Sequence, residues 1–106
     1  MRLVHELKTW PEAFDAVFRG DKLYEIRRDD RDFVVGDVLR LREWVPEKYE
    51  EAPGFVFDGR YTGRAIMAEV THVSRNVPGS ACPWERGYLA EGCVVLGIRL
   101  MGRQHS

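Results

Sequence analysis

Thr9-Trp10-Pro11-Glu12-Ala13-Phe14-Asp15-Ala16-Val17-Phe18-Arg19-Gly20-Asp21-Lys22-Leu23-Tyr24-Glu25-Ile26-Arg27-Arg28 is the stretch that organises the chain, because its periodicity changes halfway along. Up to Phe18, the residues Trp10, Ala13, Phe14, Val17 and Phe18 recur at i, i+3, i+4, i+7 and i+8, one apolar helical stripe. Trp10 reads as core on that stripe. Thr9 is placed to cap the helix, Glu12 to complete a capping box, and Pro11 to fill the first turn, where its missing N–H costs nothing. Gly20 stands where a left-handed glycine ends a helix. From Lys22 to Arg28 the period drops to two, with Tyr24 and Ile26 on one face and Glu25 and Arg27 on the other.

Upstream, residues 2–7 alternate loosely and read as a short strand. Downstream, Asp29-Asp30-Arg31-Asp32 is a charged, solvated turn, and Gly36-Asp37 a second turn. Val38 to Trp44 alternates as a half-buried strand. Residues 45–63 carry Pro46, Pro53, Gly54, Gly59 and Gly63, a long excursion with a hairpin around Phe55-Val56-Phe57 and Tyr61. Arg64 to Ser74 is a further strand with Ile66, Ala68, Val70 and His72 on one face. Residues 75–87 form a second loop, and Cys93 to Met101 is a near-continuous apolar strand of the kind that threads a closed core. Strand, helix, then four or five mostly antiparallel strands predicts a mainly β, α+β fold, closed into a small barrel with the helix at one end.

The 106 residues make one domain, 1–106, and size scaling lets roughly two-thirds of the open chain's surface be buried. Lys and Arg total 16 against 17 Asp and Glu, a formal net charge of −1, which disfavours wholesale binding to duplex nucleic acid. No run approaches the roughly 20 apolar residues of a membrane span. The N-terminus meets charge at once, without the apolar segment of a signal peptide. Cys82 and Cys93 form no CxxC pair, so reduced thiols in a cytoplasm are expected. His5, His72 and His105 have no metal-ligand spacing, and neither a metal nor a cofactor is expected.

Lys22, Glu25 and Arg27 form the strongest polar constellation. An arginine offers a planar fork to a phosphate or base edge, and a carboxylate accepts from a base amino group. Trp10, Trp44 and Trp84 are candidate stacking faces, with Trp44 placed at a rim beside a loop.

Gly20-x-Lys22-x-x-Glu25-x-Arg27, behind one strand and one helix, resembles the ASCH domains of the PUA-like superfamily. His5-Glu6-Leu7-Lys8-Thr9-Trp10-Pro11, Asp30-Arg31-Asp32-Phe33-x-Val35-Gly36-Asp37, Leu41-Arg42-Glu43-Trp44, Tyr61-Thr62-Gly63-Arg64 and Gly92-Cys93-Val94-Val95-Leu96-Gly97-Ile98 are similar, in order, to the small DUF3850 group. The resemblance implies a PUA-like β-barrel with a cleft beside its helix. That cleft would be lined by Lys22, Glu25 and Arg27, with Lys8 reaching it, and would bind RNA or a nucleotide. Strict alternation puts Lys22 with Tyr24, so its inward placement needs a backbone still turning at the strand start. One ASCH branch deacetylates N4-acetylcytidine with a Lys, a Thr and a Glu. Lys22 fits the lysine, the threonine position is Glu25 here, and Glu69 is a candidate for the glutamate. Without the hydroxyl nucleophile the covalent route is lost.

Three readings follow. The first is a small RNA- or nucleotide-binding module that takes a short single-stranded or modified ligand on Lys8, Lys22, Glu25, Arg27 and Trp44. The second is a hydrolase in the same cleft, an amidohydrolase or ribonuclease, with Lys22, Glu25 and Glu69 as candidate catalytic residues. The third is an interaction domain that uses Phe55-Val56-Phe57 to meet a protein partner or a second copy.

Overall fold

A proline at position 11 and a glycine at position 20 bracket the helix. The structure is a computed structural model that describes residues 2–47, 58–75 and 92–104. Helix α1 (Pro11–Phe18) starts with Pro11 at its first position and Trp10 as the capping residue, in extended conformation. No side chain caps it, so the expected Thr9–Glu12 capping box is absent. The helix begins one residue later than that box requires, and the Thr9 hydroxyl is turned into the interior. At the other end Gly20 takes φ +82°. The Gly20 N–H donates to the Val17 carbonyl at 2.9 Å and the Asp21 N–H to that of Ala16 at 3.0 Å. These are the paired bonds of a Schellman motif, and they satisfy carbonyls that the helix end leaves open.

Among the described residues, five strands make one sheet in the order β1-β3-β4-β5-β2. They are β1 (Val4–Thr9), β2 (Tyr24–Arg28), β3 (Val38–Glu47), β4 (Asp58–Arg75) and β5 (Cys93–Gln104). β1 runs parallel to β3 and the remaining pairs are antiparallel. Phe14, Leu39, Leu41, Ile66, Val70 and Leu96, all fully buried, lie at the heart of the core. Each such side chain removed from water contributes about 1.5–3 kcal/mol.

Several expectations are corrected here. The ladders do not close the described strands into a barrel, because β1 and β2 are the two edges. Arginine side chains cross the gap in place of a ladder. Arg27 Nη1 donates to the Lys8 carbonyl at 2.9 Å, and Arg31 Nη1 to the Glu6 carbonyl at 2.8 Å. β5 is not apolar on both faces of a closed core: Val94, Leu96 and Ile98 are buried while Cys93, Val95 and Gly97 are half-buried. His72 leaves the Ile66–Ala68–Val70 face because the register of β4 shifts between Val70 and His72. A bulge re-aims every side chain beyond it.

The Gly36-Asp37 turn is present. Gly36 has φ +98°, and the Asp37 N–H closes the turn on the Val34 carbonyl at 3.0 Å. The expected features at Phe55-Val56-Phe57, Cys82, Trp84 and His105 lie outside the described residues. Among the described residues, no helix is long and apolar enough to cross a membrane.

Candidate functional site

On β2 the sequence pattern is turned inside out. Tyr24 and Ile26 are 46% and 53% exposed, whereas Glu25 is 3% exposed. The pairing with β5 shows why. Glu25 lies opposite Leu96 and Arg27 opposite Val94, and directly opposed residues share a face. Leu96 and Val94 belong to the core, so the polar face of β2 points inward.

That face is built around one carboxylate. Arg27 Nε donates to Glu25 Oε2 at 3.1 Å, and Arg27 Nη2 donates to the Thr9 hydroxyl at 3.0 Å. The Thr9 hydroxyl in turn donates to the Leu7 carbonyl at 3.4 Å. Lys22 Nζ stands 3.8 Å from Glu25 Oε1. Lys22 precedes β2, and its N–H is tied to the Ala16 carbonyl at 3.0 Å, so the turn that ends α1 aims its ammonium at Glu25. This is the still-turning backbone that its inward placement requires. Glu25 Oε1 is buried and, among the described residues, has no hydrogen-bond partner. A buried acceptor left open costs about 1–3 kcal/mol, which a ligand that donates to it would recover.

The structure brings together Lys22, Glu25 and Arg27, and separates the other expected residues. Lys8 joins them through its backbone carbonyl alone, since its ammonium sits 4.1 Å from the centre of the Trp44 ring. Trp44 is 7% exposed and does not stand at a rim, while Trp10 is 51% exposed and is not core. Trp10 lies outside α1 as its capping residue, and the register of β3 shifts between Arg42 and Trp44. Trp44 is carried into a small cluster with Trp10, their ring centres 6.3 Å apart, and a Cβ at Gly59 would collide with the Trp44 ring. Glu69 lies between the buried Ala68 and Val70, hence on the opposite face of the sheet from Glu25. Both its oxygens are engaged, by Arg2 at 3.0 Å and Arg99 at 2.8 Å, so it does not join Lys22.

Two features escaped the sequence reading. Thr9, read as a helix cap, instead joins the Glu25–Arg27 cluster through its hydroxyl. Glu43, 6% exposed, accepts from the Thr62 hydroxyl at 2.8 Å and from Arg64 at 3.4 Å, and Arg64 also reaches Asp15 of α1 at 3.3 Å. This network fastens the helix to β3 and β4. The alternation of β3 gave one signal for it, since Glu43 continues the inward series Leu39, Leu41. Among the described residues, no group of His, Cys, Asp and Glu is arranged to hold a metal ion.

A protein of Escherichia phage P2, described as "Uncharacterized 12.9 kDa protein in GpA 3'region", is 36% identical over 74 residues, 70% of this chain. The match spans 57% of the phage protein's length. A family model described as "Domain of unknown function (DUF3850)" matches residues 4–98. Its span includes α1, β2 and every residue of the Glu25 cluster, and the chain belongs to the DUF3850 family.

Proposed function

We propose that this chain is an ASCH-type, PUA-like domain that binds a short single-stranded or modified nucleic-acid segment, or a free nucleotide, at Lys22, Glu25 and Arg27. The observation that carries this reading is the open, buried Glu25 Oε1 with the Lys22 ammonium 3.8 Å away. An acceptor beside a cation suits a ligand that offers a donor next to an acceptor. A base amino group beside a ring nitrogen or carbonyl is such a pair, and so is a ribose hydroxyl beside an oxygen. Arg27 holds the second carboxylate oxygen, which leaves Oε1 oriented for the ligand. The barrel of such a domain is supported by the way Arg27 and Arg31 join the β1 and β2 edges.

A hydrolase reading draws on the same pair, because a lysine beside a carboxylate can pass a proton between substrate and water. One experiment separates the two. Wild type, Lys22→Ala and Glu25→Gln are incubated with N4-acetylcytidine and with short single-stranded RNAs, and both bound ligand and products are followed. Binding without turnover, weakened at least about tenfold in Glu25→Gln, is the expected result. Turnover lost in Lys22→Ala would make the domain an enzyme. Equal RNA and nucleotide binding by wild type and Glu25→Gln would remove the site from this position.

A further inference from the structure

Between β1 and β2, where the ladder is missing, a cavity of about 140 Å³ opens. It is lined by Leu7, Arg27, Arg28, Asp30, Arg31 and Phe33. Three of its six lining residues are arginines, an unusual share for so small a space. Pockets that hold whole drug-sized ligands run to about 300–1,000 Å³, so this one suits a single small group.

The arginines are unequally occupied. Arg27 is hydrogen-bonded to Glu25, Thr9 and the Lys8 carbonyl, and forms a fixed inner wall. Arg31 gives one nitrogen to the Glu6 carbonyl and lies 3.9 Å from Asp30, too far for a hydrogen bond. Arg28 is exposed at the end of β2, and its carbonyl accepts from the Asp30 N–H at 2.9 Å, while its guanidinium makes no hydrogen bond or ion pair among the described residues. Arg28 and Arg31, each with donors to spare among the described residues, therefore line the same cavity as Arg27, with Asp30 as its one acidic residue. A carboxylate presents two oxygens in one plane and is satisfied by a single fork, whereas a tetrahedral phosphoryl group can share its oxygens among several.

We propose that this seam is a phosphoryl-binding site, with Arg28 and Arg31 donating to the oxyanion and Arg27 supplying the charge behind it. Arg27 also touches Glu25, so the seam and the Glu25 cluster are two ends of one binding track. The inference rests on the nucleotide reading above only for what the phosphoryl group is attached to. The base or ribose end meets Glu25 and Lys22, and the phosphoryl end meets Arg28 and Arg31.

Calorimetric titration tests it, with inorganic phosphate, the four ribonucleosides, their 5′-monophosphates and a single-stranded hexaribonucleotide. The proteins are wild type, Arg28→Gln and Arg31→Gln. Arg28→Gln removes no side-chain hydrogen bond or ion pair among the described residues, so it remains informative if Arg31→Gln loosens the turn. The expected result is that a monophosphate binds at least about tenfold more tightly than its nucleoside, and that Arg28→Gln abolishes most of this advantage while nucleoside affinity is unchanged. A hexaribonucleotide that outbinds the monophosphates, with the same dependence on Arg28, makes the source an RNA backbone; the reverse order makes it a free nucleotide. Nucleosides that bind as tightly as their monophosphates overturn the phosphoryl site and leave the Glu25 reading standing. Inorganic phosphate bound through Arg28, with no nucleoside, nucleotide or RNA bound, keeps the site and overturns the nucleic-acid reading. No binding of any probe overturns both.

Discussion

Two buried carboxylates sit near opposite ends of the sheet and are treated very differently. Asp37, 3% exposed, is saturated: it accepts from the Leu3 N–H at 3.2 Å, the Val34 N–H at 3.1 Å and His5 Nε2 at 2.9 Å. His5 is itself buried, its ring 4.8 Å from that of Phe33. Glu25 is equally buried, but one of its oxygens has no hydrogen-bond donor among the described residues. A fully partnered carboxylate inside a protein holds backbone in place, here the start of β1 against the turn before β3. A half-partnered one carries an uncompensated cost, and such costs persist where something else is to be bound. The first is a structural joint, and the second is where the proposed ligand would bind.

The sharpest way to break the contrast is to remove each joint in turn. Asp37→Ala strands two backbone N–H groups and His5 inside the protein, and is expected to cost about 3–5 kcal/mol in urea unfolding. Arg27→Ala comes next, at about 3 kcal/mol, because it leaves Glu25 buried without its guanidinium and unties β2 from the Lys8 carbonyl. Hydrogen exchange should then quicken in β1 and β2 ahead of β4.

A smaller effect follows from acid. Burial pushes the Asp37 carboxyl up, but hydrogen bonds from His5, Leu3 and Val34 outweigh it and hold the group below its ordinary value of 3.8. Its contribution is therefore present above that value and is lost as pH falls through the lowered one. The stability gap between wild type and Asp37→Asn should be full at neutral pH and narrow on acidification below about pH 4. A gap that stays constant would deny Asp37 this role.

The smallest change in stability is expected for Glu25→Gln, which keeps an oxygen for Arg27 and gives up only ion pairs to two partly exposed cations, Arg27 and Lys22. Its unfolding free energy should stay within about 1 kcal/mol of wild type while ligand binding falls. A loss as large as that of Asp37→Ala would make Glu25 a structural joint as well, and the contrast would disappear.

The helix was legible because its signals are local: the stripe of Phe14 and Val17, Pro11 at the start and Gly20 at the end. The pairing of Glu25 with Arg27 on one face was legible for the same reason, since alternation along a strand is a backbone property. Which face turns inward was not. Tyr24 and Ile26 are the apolar pair, and only the register of β2 against Leu96 and Val94 places Glu25 inside. The exchanged positions of Trp10 and Trp44, and the outward turn of His72, accompany register shifts that periodicity cannot anticipate. His5 and Asp37 are separated by 32 residues, and neither carries any local mark of the other.

By itself, then, the sequence determined the presence of α1 and the glycine that ends it, the turn at Gly36-Asp37 and the family whose pattern spans the chain. These depend on neighbours within a few residues, where backbone geometry and side-chain spacing suffice. The tertiary structure alone decided that the sheet ends in two edges bridged by arginines, that Glu69 stands apart from Lys22 and Glu25, and that Thr9 joins the Glu25–Arg27 cluster. Each of these depends on strand order and register, which are set when distant segments compete to bury the same core, and no window along the chain contains that competition.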